Sequence, residues 1–304
     1  MTNASIKPGI SMKSILFATD FLESSRLALD YAVAFAHHYG AMLTIVHAFE
    51  LRSEAREIEM VTHRPSLSRE HASARIEAFA AGVKRLGIHT EIDLRPGEPC
   101  ASILAAVRDH RADLLVLSTH GIYRGVQHVL VGSNAEKILL SATCPTLTVG
   151  RHVMAGIDLD LGFSEILFLS DMSSESVQAA PYAASLAQDL GIPIELTALE
   201  PDHETVETSS SVASATEFCA GLKALPAFPN PEWCDPAYVS KRMATLEAVT
   251  ERAMKCADIL LVLGVHDMSR LKRHLHASYA FELIARSSCP LLTIAGNGRA
   301  NGKG

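Results

Sequence analysis

Two stretches of the chain carry residue types suited to gripping an anion. Ala18-Thr19-Asp20 closes one short apolar run and Ser118-Thr119-His120-Gly121 closes another, each where a strand gives way to a loop. Further on, Val131-Gly132-Ser133-Asn134-Ala135-Glu136 opens a helix, and Ser133 with Glu136 fits a capping box, in which hydroxyl and carboxylate satisfy the first free amides. A helix start presents unpaired N–H groups and the positive end of its dipole, so Gly132 and Ser133 suit phosphate oxygens, and glycine lets the backbone come close. In an open parallel sheet a ligand binds beyond the carboxyl ends of the strands where strand order reverses. For five strands ordered 3-2-1-4-5 that point lies between strands one and four, which groups Ala18, Thr19, Asp20, Ser118, His120, Gly121, Gly132, Ser133 and Asn134.

Other chemistries find no support. His120, His128, His266, His274 and His276 lack a cysteine or carboxylate at ligand spacing, so no structural metal is expected. Val131-Gly-Ser-Asn-Ala135 is not a nucleophile elbow, and the Walker and Gly-x-Gly-x-x-Gly sequences are missing. No acidic pair for magnesium and no general base stands out, leaving fast ATP hydrolysis without visible machinery.

Hydrophobic patterning supplies the elements that must hold this mouth open. The expected order in the first half is strand Ser14 to Thr19, a helix capped by Ser24 or Ser25 and ended by Gly40, strand Met42 to Phe49, a helix near Ser68 to Leu86 and strand His89 to Leu94. Helix Ala101 to His110, strand Asp113 to Ser118, helix Asn134 to Ser141 and strand Thr146 to Val149 complete it. Buried-type strands alternating with helices imply an α/β fold with a Rossmann-like open parallel sheet covered on both faces.

The pattern then repeats. Ile15-Leu-Phe-Ala-Thr-Asp20 is answered by Ile166-Leu-Phe-Leu-Ser-Asp171, an offset of 166 − 15 = 151, and Cys144-Pro-Thr-Leu-Thr-Val149 by Cys289-Pro-Leu-Leu-Thr-Ile294. Two tandem five-stranded units follow, residues 1–152 and 153–304. The second half reads Glu165 to Leu169, Ile194 to Leu199, Ile259 to Leu263 and Leu291 to Ile294 as strands. Between Pro201 and Pro236 its pattern dissolves, which reads as a long surface excursion with helix two short or displaced.

Composition narrows the partners. A net charge of −7 over 304 residues argues against a nucleic-acid or anionic-membrane coat. With no leader-like start and no apolar stretch near 18 residues, a soluble cytoplasmic protein is expected. Six cysteines without a Cys-x-x-Cys pair read as reduced structural thiols, with a redox role for Cys219 or Cys234 as the minor alternative.

The strand-one aspartate, the Ser-Thr-His-Gly turn, Gly132-Ser133-x-Ala135-Glu136 and the closing Cys-Pro-x-Leu-x-Val together resemble the universal stress protein family, in both halves. The resemblance implies a non-catalytic stress-response protein. Its ATP-binding members cradle the triphosphate with Gly-x2-Gly-x9-Gly-Ser/Thr, and the strand-one aspartate and the start of strand two hold adenine and ribose. Carried over, it assigns Asp20, Leu43, Gly121, Gly132 and Ser133 to ATP or a related adenine nucleotide, with or without magnesium. The first half departs by Ser118 for the first glycine and by ten rather than nine residues between Gly121 and Gly132; the second by Asp267 and Ala277 for the second and third glycines. The better site is therefore expected in the first half. The resemblance also implies association through strand five, internally as a pseudo-dimer or between chains as a homodimer. A nucleotide-free adaptor using 201–236 and a slow ATPase are the competing readings.

Overall fold

The computed structural model describes residues 10–49, 69–119, 133–153, 159–200, 209–225, 228, 230–265 and 276–295. In the first half β1 (Ser14–Ala18), β2 (Met42–Phe49), β3 (Thr90–Pro96), β4 (Leu114–Ser118) and β5 (Thr146–Val149) alternate with α1 (Glu23–Tyr39), α2 (Arg69–Arg85), α3 (Pro99–Asp109) and α4 (Ser133–Leu139). In the second half β6 (Glu165–Ser170), β7 (Ile194–Leu199), β8 (Met243–Ala244), β9 (Ile259–Val265) and β10 (Leu291–Ala295) alternate with α5 (Ser174–Leu190), α6 (Ser209–Ala224), α7 (Pro236–Ser240), α8 (Leu246–Lys255) and α9 (His276–Arg286).

Each half has the expected α/β architecture, with strand order β3-β2-β1-β4-β5 in the first and β8-β7-β6-β9-β10 in the second. The two sheets merge into one of ten strands, because β5 pairs antiparallel with β10, Leu147 facing Leu292 and Thr146 facing Thr293. The other neighbouring strands are parallel. Side chains alternate across the sheet, so Ile15 and Phe17 join one buried layer with α1, α2, α5 and α6. Leu16 and Ala18 join the other, with α3, α4, α8 and α9. Both layers run through residues of both halves. The connecting segment adds to the first layer, Phe163 stacking on Tyr31 at 5.9 Å between ring centres.

Two local expectations are corrected. Leu22, not Ser24 or Ser25, occupies the N-cap of α1 and offers no side-chain cap, because Ser25 already lies in the first turn with its hydroxyl given to Asp20. The segment read as a surface excursion contains the 16-residue α6, with Ala215, Phe218, Cys219 and Leu222 buried. After it, Trp233 is fully buried and stacked on Phe168 at 5.4 Å. With serines, a threonine, a valine and a glycine offsetting its alanines, α6 depends on contact with α5: a Cβ on Gly221 would meet the Val177 side chain at 2.9 Å. No helix among the described residues is long and apolar enough to cross a membrane.

Candidate functional site at the carboxyl ends of strands one and four

β1 and β4 lie side by side in register, Ala18 beside Leu117, so their carboxyl ends open at the reversal of strand order. There the chain makes a tight turn. Thr19 Oγ1 accepts from the Phe21 amide at 3.0 Å, and Asp20 Oδ1 accepts from the Leu22 amide at 3.0 Å. Phe21 takes the left-handed conformation at φ 62, which a side chain adopts only when its surroundings hold it there.

Ser25 gives its hydroxyl proton to Asp20 Oδ1 at 2.7 Å. Ser118 Oγ, 3.2 Å from Ser25 Oγ, is then the donor in that contact, since the Ser25 proton is already committed. A chain Ser118, Ser25, Asp20 thus ties the end of β4 to the turn after β1. Ala18 and Thr19 are buried beneath it.

The second half repeats the turn almost atom for atom. Ser170 Oγ accepts from Met172 N, Asp171 Oδ1 accepts from Ser173 N, and Ser176 Oγ gives its proton to Asp171 at 2.6 Å, with Met172 at φ 61. The aspartate in both halves therefore shapes the turn. The halves differ at the next position of the network, where Ser118 is matched by Gly264. A Cβ on Gly264 would lie 2.8 Å from Ala179 Cβ and 2.9 Å from Ser176 Cα, so this glycine serves the close approach of α5 to β9. Because the added Cβ would meet backbone, Gly264→Ser is expected to destabilise the fold by about 2–3 kcal/mol through overpacking. Ser118→Gly, which removes one hydrogen bond, should cost about 1 kcal/mol. Urea midpoints compare the two, and equal shifts would refute the packing role.

The structure separates one assigned residue from the rest. Leu43 is fully buried and pairs with Ile15 near the amino end of β1, at the opposite end of the parallel pair from Asp20, and this corrects its assignment to the site. The β2 residue at the right level is His47, which sequence reasoning missed. Its Nδ1 lies 2.8 Å from the Thr19 carbonyl oxygen, which can only accept, so Nδ1 carries the proton. The ring faces Phe21 at 4.3 Å, and Arg75 of α2 lies 4.8 Å over the same phenyl ring while donating to Phe21 O at 2.7 Å. The second half has Met172 and Ala198 at the matching places. The signal in the sequence was a histidine on the apolar face that Leu43, Ile45 and Phe49 share.

Burial holds His47 below its ordinary value of 6.5, with Arg75 adding to it and the Thr19 hydrogen bond and Asp20 opposing. Between the folded and ordinary values the unfolded chain binds more protons, so this contribution to stability is present above pH 6.5 and lost as pH falls through the folded value. The stability difference between the wild type and His47→Gln should shrink as pH falls from 7.5 to 5 in urea titrations. A constant difference would contradict it.

Of the remaining expected residues, Ser133 begins α4 and Asn134 is exposed in its first turn. His120, Gly121 and Gly132 lie outside the described residues, as do His128, His266 and His274. The short link from Leu139 to Thr146, where β5 begins at the amino end of the sheet, directs the start of α4 towards the carboxyl ends. Among the described residues, no group of three or more His, Cys, Asp or Glu is placed to hold a metal ion.

Residues 12–150 match the model of the universal stress protein family. A universal stress protein of Thermus aquaticus is 33% identical over 139 residues, covering 45% of this chain and 98% of the relative. The chain belongs to the universal stress protein family. A putative universal stress protein of Staphylococcus epidermidis is likewise 33% identical over 151 residues, 88% of its own length. Each of these relatives spans about half of this chain. A crystal structure of a universal stress protein from Archaeoglobus fulgidus shares the fold across nearly everything, 93% of this chain and 96% of that one, with a TM-score of 0.61 at 15% identity.

Proposed function

We propose that this universal stress protein binds ATP or a related adenine nucleotide, with or without magnesium, in its first half, and acts in the stress response by binding rather than by catalysis. The observation that carries the reading is the pairing of β1 with β4 at the reversal of strand order, inside the stretch that matches the family model. The carboxyl end of β1 supplies Thr19 and Asp20, β4 supplies Ser118, and Gly121, Gly132, Ser133 and Asn134 follow in sequence as the phosphate side. His47, in place of Leu43, is the β2 residue beside the nucleoside side. In the second half Gly264 is taken up by packing against α5, which supports the first half as the occupied one. We also infer that the chain works as a monomer, its β5 and β10 edges being satisfied by each other.

Native mass spectrometry of the full chain with ATP tests both points. One nucleotide per 32.7 kDa chain is expected. Gly132→Asp should lower affinity at least about a hundredfold, since it sets a carboxylate against the phosphates. Unchanged affinity in that variant would remove the phosphate assignment, and binding to no chain at all would favour a nucleotide-free adaptor. A dimer mass would overturn the monomer.

A further inference from the structure

Outside the nucleotide mouth, the second half brings together two cysteines that no part of the proposed function uses. Cys219 lies on the buried face of α6, and its Sγ–H donates to the Trp233 carbonyl oxygen at 3.4 Å. Peptide planarity fixes that oxygen about 2.8 Å from the Cα of the next residue, which is Cys234. The Cys219 sulfur therefore stands no more than about 6 Å from the Cys234 Cα, and rotation about χ1 of Cys234 with a small shift of the Pro231–Cys234 turn brings the two sulfurs to bonding distance. Both thiols are free, Cys219 buried and Cys234 half-exposed.

We propose that Cys219 and Cys234 form a reversible disulfide on exposure to peroxide, stapling α6 to the Pro231–Cys234 turn around Trp233. Cys234, the more accessible sulfur, attacks first: its thiolate takes one oxygen of hydrogen peroxide, the O–O bond breaks, and hydroxide leaves as water after protonation. Cys234 is then a sulfenic acid. The Cys219 sulfur displaces that oxygen, the S–S bond forms and a second water leaves. The two sulfurs together give up two electrons to one peroxide, which becomes two waters. A dithiol reductant reverses the reaction by exchange.

The surroundings set the pace. Burial pushes both thiols up and their mutual proximity adds to Cys219, while Lys223, one helical turn beyond Cys219, pulls both down. Asp235 raises Cys219 and Glu232 raises Cys234. Lys223 is thus a cation shared by both reacting groups, and it offsets part of the cost that burial places on their thiolates. Cys144 and Cys289 have no such help: burial pushes each up to about 12.

The test is peptide mass mapping of the reduced full chain after hydrogen peroxide treatment, with free thiols alkylated and no reductant added. The expected product is a single cross-link joining the peptides that contain Cys219 and Cys234, removed by dithiothreitol and accompanied by a higher melting temperature. Cys219→Ser should instead leave Cys234 as a sulfenic acid captured by a dimedone-type probe, and Lys223→Ala should slow cross-linking several-fold. A cross-link between other cysteines, such as Cys256 and Cys289, overturns the proposal. So does complete alkylation of Cys219 after treatment. The wild-type map alone decides, so failure of a variant to fold leaves the result intact.

Discussion

Gly150→Ala should lower stability by about 2–3 kcal/mol, at a position where an added methyl would ordinarily help. Glycine to alanine at a permissive backbone angle stabilises by about 0.4–1 kcal/mol, because the unfolded chain has less freedom to lose. Gly150 follows β5, and a Cβ there would lie 2.3 Å from the carbonyl oxygen of Ile284 in α9. That neighbour is helix backbone, so the clash is relieved only by moving α9 or the end of β5. The contact also joins the halves, since β5 comes from the first and α9 from the second. Overpacking therefore outweighs the gain in the unfolded state. Urea unfolding followed by circular dichroism should show a lower midpoint, and an equal or higher one would mean that the halves meet less closely at Gly150.

Trp233→Ala is expected to cost more, about 3–5 kcal/mol, the range for emptying a large aromatic site in a core. Trp233 is fully buried, stacks face to face on Phe168 and meets Phe228 at 5.9 Å, so its removal leaves a cavity between the sheet and α6. Trp233→Phe should be much milder. It keeps an aromatic ring on Phe168 and removes a buried indole N–H that has no hydrogen-bond partner, which itself carries a penalty. Circular dichroism melts of the two variants provide the comparison. A small loss in Trp233→Ala would restore the reading of this segment as a surface excursion.

The comparison of halves shows why some of the site was legible and some was not. Asp20 and Asp171 could be found because the repeat places them at matching ends of matching strands, and a turn built from local side-chain contacts depends on nearby residues alone. Leu43 was misplaced because a site residue on a parallel strand is chosen by register, and register is a relation between β1 and β2 that neither strand states by itself. The level of His47 beside Thr19 is set by the same register. The role of Gly264 was hidden because glycine in a phosphate motif and glycine under a packed helix look alike in sequence; Ser176 and Ala179 distinguish them.

By itself the sequence determined the alternation of strands and helices, the doubling of the unit, the order of strands within each half and the family, because these rest on periodicity and on motifs carried by neighbouring residues. The tertiary structure decided the rest: the antiparallel β5–β10 joint that makes one sheet of two, the helical and buried state of α6, the level of His47 beside Thr19 and the approach of Cys219 to Cys234. Each of these is a contact between segments far apart in the chain. Such contacts come from burying surfaces that match in shape, and that match exists only once the chain has folded.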